Sequence, residues 1–278
     1  MLLRLLLLLR CSVLLANVWD NRTLNTAVWL SGAAYCDKHE YPNMILDGYA
    51  TGFEYRDTLY DPHTDVQGYI GVMPSTKTVY VVIRGSSSIM NWLDDFEVSL
   101  VDYNTYPDCE CHVHRGFYHS AMEIHNKTID IVRVLRKEYP KVVVTGHSYG
   151  ASVGTLLAME LIRAGIDTDI YNYGQPRVGD AVFAEFANKI VPEYWRMTHY
   201  KDIVPHLPLT VMNYVHSCRE IYEDDTGELT VCSNLNCEDP SCANQHRLVD
   251  ENADDHMYYL GHHLACEDSI ISMRYKHN

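Results

Sequence analysis

The sequence has 278 residues, 47% of them hydrophobic, with 22 basic and 37 acidic side chains and a formal net charge of −15. This length and apolar content suffice for the core of one large domain or two small ones, which excludes intrinsic disorder, collagen and coiled coil. The acidity disfavours nucleic acid and anionic lipid as partners, because like charges repel.

Residues 1–16, MLLRLLLLLRCSVLLA, are typical of a secretory signal peptide. An early cation, Arg4, precedes a leucine run, and small residues lie near the predicted cleavage site at Ala16. Arg10 interrupts the run, leaving it shorter than the roughly 18 to 20 apolar residues that a membrane helix needs. We therefore predict a cleaved leader and a secreted or lumenal chain without a transmembrane segment. Loss of Arg4 and Arg10 would take the net charge from −15 to −17.

Cleavage would remove Cys11 and leave an even number of cysteines, which predicts disulfides in an oxidising compartment. The candidates are Cys36, Cys109, Cys111, Cys218, Cys232, Cys237, Cys242 and Cys266. Two sets also have the close spacing of zinc ligands: Cys109, Cys111, His112 and His114, and Cys232, Cys237, Cys242 and His246. Because zinc requires reduced thiolates, export opposes that interpretation and we predict no metal. Asn21 and Asn126 lie in glycosylation sequons, which agrees with export.

From Gln67 onward, apolar runs typical of strands alternate with helical patterns, which predicts a mostly parallel sheet flanked by helices. The predicted strands cover residues 79–83, 142–144, 169–173 and 194–198, and the predicted helices cover residues 116–139, 151–163 and 181–190. The first helix has one apolar stripe predicted to face the core, formed by Phe117, Ala121, Ile124, Thr128, Ile131 and Leu135. Asn126 falls on the opposite face, where a glycan would reach solvent.

Residues 219–255 are acidic and rich in cysteine. Within them, residues 220–222 and 229–231 flank an Asp-Thr-Gly turn, which predicts a hairpin followed by a disulfide-linked loop. Since the chain shows no internal repeat and no flexible linker, we predict a single domain over residues 17–278 with this segment as an insertion.

The sequence Gly146-His147-Ser148-Tyr149-Gly150 lies between a predicted buried strand and a predicted helix. A serine at such a turn stands clear of the sheet, and the two glycines let strand and helix approach closely. We therefore predict that Ser148 is a nucleophile rather than part of an ordinary glycine-rich turn.

A serine hydroxyl needs a histidine base, and that base needs a carboxylate that fixes its tautomer. On this kind of turn the chain order is serine, acid, histidine. Asp202 follows a predicted strand and is one candidate acid, although a solvated turn aspartate is the commoner outcome. The residues alone leave seven candidate bases open, namely His199, His206, His216, His246, His256, His262 and His263.

Five ordered motifs narrow this choice. They are residues 84–86 (RGS) followed by 88–92 (SIMNW), 146–150 (GHSYG), 173–179 (YGQPRVG), 202–208 (DIVPHLP) and 256–261 (HMYYLG). From about Ser31 to Cys266 the chain resembles the class 3 lipases of the fungal triacylglycerol lipase type. The resemblance implies an α/β-hydrolase fold with a short helical lid. It also implies a catalytic triad of Ser148, Asp202 and His256, with His262 and His263 beyond the matching position.

The same resemblance implies an oxyanion hole formed by Ser86 and the backbone N–H of Tyr149, each donor contributing roughly 3 kcal/mol to transition-state stability. Ser86 could equally be a simple cap between strand and helix, and the two roles are compatible. The segment after Ser86 has an amphipathic pattern that would by itself indicate a core helix, but its position resembles the family's lid. The lid residues are Ile89, Trp92, Leu93, Asp95 and Phe96, of which Asp95 is expected to steady Ser86.

Three features concern the details of that resemblance. Tyr149 stands where relatives more often have leucine, so the acyl-chain preference is open. Cys36 and Cys266 resemble a disulfide pair of the family, whereas Cys109 and Cys111 would close a strained C-x-C ring. The four cysteines of the acidic region leave three possible connectivities.

Three functions remain in competition. The first is a secreted acylglycerol lipase that needs no cofactor, forms an acyl-serine intermediate and contacts lipid surfaces through its apolar lid. The second is a soluble carboxylic ester hydrolase such as a feruloyl-type esterase, for which a more polar flap is expected. The third is a catalytically silent binding protein, which would not require all three of Ser148, Asp202 and His256.

Overall fold

The structure is a computed structural model that describes residues 19–86, 98–233, 237–247, 250 and 252–271. The predicted leader, residues 1–16, lies outside the described residues. The same holds for the predicted lid residues, which are Ile89, Trp92, Leu93, Asp95 and Phe96. Within the described ranges, none of the helices combines the length and hydrophobicity that crossing a bilayer requires.

The described part of the chain contains twelve β-strands. The strands are β1 (Glu54–Asp61), β2 (Val66–Met73), β3 (Thr78–Ile83), β4 (Leu100–Asp102), β5 (His112–His114), β6 (Lys141–His147), β7 (Asp169–Tyr173), β8 (Tyr194–His199), β9 (Glu220–Glu223), β10 (Leu229–Val231), β11 (Tyr258–Tyr259) and β12 (His262–His263). Eight of them form a central sheet in the order β1-β2-β3-β6-β7-β8-β9-β10. From β3 to β9 neighbouring strands are parallel, and the outer pairs β1-β2, β2-β3 and β9-β10 are antiparallel. The mostly parallel sheet predicted from the sequence is therefore confirmed.

Two buried clusters cover the two faces of this sheet. The helices are α1 (Asn21–Ala33), α2 (Arg115–Leu135), α3 (Tyr149–Arg163), α4 (Ala181–Ile190) and α5 (Cys266–Ser269). Along β3, Val79 and Val81 pack with α2 and α3, whereas Tyr80 and Val82 pack with α1. This alternation follows from the two-residue period of a strand, and it makes the β-branched run of β3 buried on both faces.

Helix α2 departs in detail from its prediction. It ends at Leu135 rather than Tyr139, ahead of Pro140, which cannot continue a helix. Of the predicted stripe, Phe117, Ala121, Ile124 and Thr128 are buried, whereas Ile131 and Leu135 are only half-buried; Ile129 and Val132 are buried instead. A period of 3.6 residues moves the buried stripe around the helix over five turns. Asn126 is exposed, as expected.

The acidic region contributes to the central sheet. Its predicted hairpin is β9 and β10, and β9 pairs in parallel with β8. Cysteine pairing fixes the rest of the region: Cys218 is bonded to Cys237 and Cys232 to Cys242, which selects one of the three open connectivities. The other disulfides are Cys36–Cys266, linking the end of α1 to α5, and Cys109–Cys111. The cysteines considered as zinc ligands are thus all paired in disulfides.

Candidate active site

Ser148 occupies the sharp turn between β6 and α3, at the carboxyl end of the parallel strands. Its backbone has φ 58° and ψ −132°, a conformation that side-chain-bearing residues rarely adopt and that costs about 1–3 kcal/mol. The Ser148 N–H donates to the Tyr173 carbonyl oxygen of β7 at 2.9 Å, which fixes the turn to the neighbouring strand.

Two glycines make this turn possible. A Cβ at Gly146 would lie 2.6 Å from the Gly150 carbonyl carbon, and a Cβ at Gly150 would collide with the carbonyl oxygens of Ile83 and Arg84. The G-x-S-x-G spacing therefore reflects a close approach of helix α3 to the ends of β3 and β6, as the sequence predicted.

The predicted acid and base are in contact. Asp202 lies three residues after β8, and His256 lies in the one-turn helix Asp255–Met257. His256 Nδ1 is 2.8 Å from Asp202 Oδ2, and both residues are buried. Because a carboxylate only accepts, Nδ1 is the donor and Nε2 is left with the lone pair that a general base needs.

Two further donors hold the Asp202 carboxylate. The Val204 N–H donates to Asp202 Oδ1 at 2.8 Å, and the Tyr259 hydroxyl donates to Oδ2. Burial raises the pKa of Tyr259 well above its ordinary value, so this hydroxyl stays protonated and remains a donor. Tyr259 is a positioning residue that sequence reasoning missed, although it belongs to the aromatic pair after His256 that carried the resemblance.

Several buried side-chain atoms have no hydrogen-bond partner among the described residues, and two of them, Ser148 Oγ and His256 Nε2, lie at this site. Buried polar atoms are normally paired, and the exceptions in a native structure call for an explanation. These two are the atoms that would attack an ester and accept the proton, so the exception coincides with the predicted chemistry.

A second hydrogen-bonded pair contacts the backbone of the base. The Tyr35 hydroxyl and His147 Nδ1 are 2.6 Å apart, and His147 Nε2 is 2.7 Å from the His256 carbonyl oxygen. A carbonyl only accepts, so Nε2 carries the proton of His147 and Tyr35 donates to Nδ1. Burial and the neighbouring His256 keep the pKa of His147 well below its ordinary value, so the imidazole stays neutral.

This pair also contacts the segment that leads to Ser86. A Cβ at Gly85 would collide with the Tyr35 hydroxyl oxygen and lie 3.0 Å from the His147 carbonyl oxygen, so a side chain there would displace Tyr35. Tyr35 therefore packs against the predicted oxyanion segment and, through His147, holds the backbone of His256. Neither role was predicted, and only the position of His147 inside the G-x-S-x-G motif could have indicated one.

The loops that carry the acid and the base are joined by backbone hydrogen bonds. Ile203 N–H donates to Asn252 O at 3.2 Å, and Asn252 N–H donates to Lys201 O at 3.0 Å. Gly174, with φ 55°, closes the site from the end of β7: a Cβ there would lie 2.8 Å from His256 Cε1 and 3.0 Å from Asp202 Oδ2. The glycine of the YGQPRVG motif thus makes room for the acid–base pair.

The predicted oxyanion residues lie beside the turn. Ser86 follows β3, whose residue Ile83 pairs with Gly146 in the neighbouring strand. The Tyr149 side chain turns toward α2, where its hydroxyl donates to Ser120 Oγ at 2.5 Å. Burial raises the pKa of Tyr149 to about 12. Its ring meets Phe117 edge-on at 5.7 Å, so this tyrosine is part of an aromatic wall beside Ser148.

The other six candidate histidines make different contacts. His199 Nδ1 donates to the Asp255 carbonyl oxygen at 2.9 Å, and His262 is 2.9 Å from Ser269 Oγ and stacks on Trp29. The remaining four lie near Ile203 (His206), Pro205 (His216), Tyr222 (His246) and Asp268 (His263). Of the seven candidate histidines, His256 is the one whose contacts within the described residues include the Asp202 carboxylate.

Comparison with known proteins places this geometry in a family. The profile of the family described as "Lipase (class 3)" matches residues 80–212. A solved triacylglycerol lipase with a serine protease triad as its catalytic centre is 30% identical, with a TM-score of 0.81 over 91% of this chain and 98% of that one. The chain belongs to the class 3 lipase family.

Two other relatives agree. The lipase of Rhizomucor miehei is 35% identical over 206 residues, covering 71% of this chain, and its propeptide complex superposes with a TM-score of 0.78 at 32% identity, covering 86% of this chain and 79% of that one. A secreted mono- and diacylglycerol lipase of Fusarium solani is 30% identical over 73% of this chain. The chain spans 56% and 61% of the length of these two curated relatives. Its α/β-hydrolase fold, expected from the motifs, is confirmed.

Proposed function

We propose that this class 3 lipase hydrolyses acylglycerol ester bonds at a lipid–water surface. The observation that carries the proposal is the Asp202–His256 pair at 2.8 Å beside Ser148, with Ser148 Oγ and His256 Nε2 left as buried atoms without a partner in the described chain. The relatives described as lipases support the choice of substrate class.

In the first half of the proposed reaction, His256 Nε2 removes the proton of Ser148 as Oγ attacks the ester carbonyl carbon. Asp202 keeps the imidazole in the productive tautomer and stabilises the imidazolium that forms. The negative oxygen of the tetrahedral intermediate would accept hydrogen bonds from the backbone N–H groups of Ser86 and Tyr149. When the intermediate collapses, His256 protonates the leaving alcohol and an acyl-serine remains.

The second half repeats these steps with water. His256 removes a proton from the water molecule as its oxygen attacks the acyl carbon, and the proton then passes to Ser148 Oγ as the fatty acid leaves. All of these roles fall to side chains and backbone groups of this chain, so the proposed mechanism uses no cofactor.

Other parts of the proposal rest on the sequence. They are cleavage of residues 1–16, export to the extracellular space or a secretory lumen, a single domain over 17–278, and glycans at Asn21 and Asn126. Both asparagines are exposed. A lid formed by Ile89, Trp92, Leu93, Asp95 and Phe96 remains a prediction on residues that the structure does not describe. The apolar members of this set favour a lipase over a feruloyl-type esterase.

The test is hydrolysis of an acyl ester series, from short to long chains, below and above the concentration at which each ester forms an interface. We expect a rate increase at the interface and no activity in Ser148→Ala. High activity confined to short or aromatic esters in solution would favour the soluble esterase. Equal rates in wild type and Ser148→Ala would leave the silent binding protein.

A further inference from the structure

The stretch that follows Asp202 in the chain lacks formal charge. No aspartate, glutamate, lysine or arginine occurs in residues 203–218, although 21% of all residues are charged. The next stretch, residues 219–255, carries eleven acidic and two basic side chains. The two histidines of the uncharged stretch are both buried, and burial keeps the pKa of His216 well below its ordinary value. Residues 207–213 contain no ionisable side chain and are therefore uncharged at neutral pH.

The outer part of this stretch, which we name the neutral loop (residues 207–213), presents an apolar tip. Val211 and Met212 lie in the one-turn helix Thr210–Met212 and are 87% and 44% exposed. Val211 is the most exposed large hydrophobic side chain among the described residues. Leu207 and Leu209, in the first half of the same loop, are half-buried.

The base of the neutral loop is held by a buried arginine. Arg177, which is buried, donates from its backbone N–H to Leu207 O at 2.7 Å and from Nη1 to Pro208 O at 2.9 Å. The Arg177 guanidinium is held in turn by Glu238 at 2.6 Å. Because the loop begins five residues after Asp202, at the carboxyl edge of the sheet, its tip is attached to the same edge as Ser148.

We propose that the neutral loop is a contact site for an uncharged lipid surface, separate from the predicted lid. Three observations support this partner: the exposed apolar tip, the absence of charge in residues 203–218 beside the acidic residues 219–255, and the attachment of the loop base to Arg177 five residues after Asp202. An anionic surface would be repelled by the acidic remainder of the chain, whereas a neutral acylglycerol or zwitterionic film would not. The proposal rests on the proposed function, because it assigns the surface from which that site takes its substrate.

Helix α2 offers a matched control. Val134 is 64% exposed and lies in the last turn of α2, which ends shortly before the start of β6 and hence at the edge of the sheet opposite Ser148. Val211→Asp and Val134→Asp make the same chemical change and the same change of net charge. They differ in whether the new carboxylate lies beside the candidate site.

The experiment compares binding of both variants to a triolein emulsion coated with phosphatidylcholine. Removing the apolar contact of one valine and adding a charge should weaken binding of Val211→Asp by about tenfold or more. Val134→Asp should bind like wild type, and the near-isosteric Val211→Thr should show a smaller loss. Equal binding by Val211→Asp and Val134→Asp, with unchanged melting temperatures, would overturn the proposal.

Activity on a soluble short-chain ester separates this proposal from the proposed function. We expect all three variants to hydrolyse that ester within about twofold of wild type, since Val211 and Val134 lie outside the acid–base pair. A wild type that binds the emulsion through Val211 but hydrolyses no ester would contradict the proposed function and leave the lipid contact standing. If wild type hydrolyses the ester and Val211→Asp leaves emulsion binding unchanged, the lipid contact is contradicted and the proposed function stands.

Discussion

The nucleophile and the base are held in place by different parts of the molecule. Ser148 is fixed by a strand, a turn and a helix that are consecutive in sequence, with two glycines at the points of closest approach. His256 lies in a single helical turn and depends on residues far away in the chain, namely Asp202 and the Tyr35–His147 pair. The nucleophile is therefore positioned by consecutive elements that pack on the neighbouring strands, whereas the base depends on tertiary contacts alone.

This difference explains what could be predicted from the sequence. The strand before Ser148 and the helix after it follow from local patterns, and so do β7, α4 and the β9-β10 hairpin. The base could not be chosen among seven histidines without a family resemblance, because nothing in the local sequence records which imidazole meets Asp202. The Tyr35–His147 pair was missed for the same reason: its residues are 112 apart.

The largest predicted effect comes from changing the hydrogen bond between Asp202 and His256. Asp202→Asn keeps the shape of the side chain, but the new amide N–H can donate to His256 Nδ1. The proton of the neutral imidazole then lies on Nε2, which can no longer act as the base. We expect kcat to fall by roughly 10⁴-fold with the fold intact. Asp254→Asn, an exposed change two residues before His256, is the control, measured by steady-state kinetics. A loss below about tenfold in Asp202→Asn would mean that another group orients His256.

A substitution at the turn that carries Ser148 should instead reduce the stability of the fold. Gly150→Ala places a Cβ against the backbone of Ile83 and Arg84, which cannot yield as a side chain can. We expect a loss of about 3 kcal/mol of unfolding free energy, measured by denaturant titration. In Gly154→Ala, on the same helix, the nearest atom to the Cβ is Val144 Cγ1, at 3.1 Å, and no backbone atom lies closer than 3.9 Å, so this variant should remain within about 1 kcal/mol of wild type. Equal stability of the two variants would contradict the close approach.

A smaller effect on kcat should show whether Tyr35 positions His256 or only stabilises the fold. Tyr35→Phe removes the donor to His147, and we expect kcat to fall about tenfold at unchanged KM. Tyr41→Phe is the matched control, because its buried hydroxyl donates to Ala34 O at 2.6 Å without touching His147. Both variants should lose about 1 kcal/mol of stability. If kcat fell equally in both, Tyr35 would have no specific role in holding His256.

The smallest effect concerns the packing beyond the base. Burial lowers the pKa of His262 to about 4, from an ordinary value near 6.5. Between these values the unfolded chain binds the proton and the folded chain does not, so stability should fall as the pH drops from about 6.5 to about 4. The slope of unfolding free energy against pH reports the difference in bound protons between the unfolded and folded states. His262→Gln should reduce this difference by at most one proton between about pH 4 and pH 6.5. Denaturant titrations at several pH values would reveal it, and an unchanged slope would place the imidazole in solvent.

Ser148 forms the acyl-enzyme in the proposed mechanism, and labelling by a phosphonate ester that reacts with activated serines tests this role most directly. Wild type should lose activity in proportion to the incorporation of one phosphonyl group, and peptide mass spectrometry should find that group on Ser148. Ser148→Ala should stay unlabelled. Loss of activity with the label on another residue, or a labelled and active Ser148→Ala, would contradict the account.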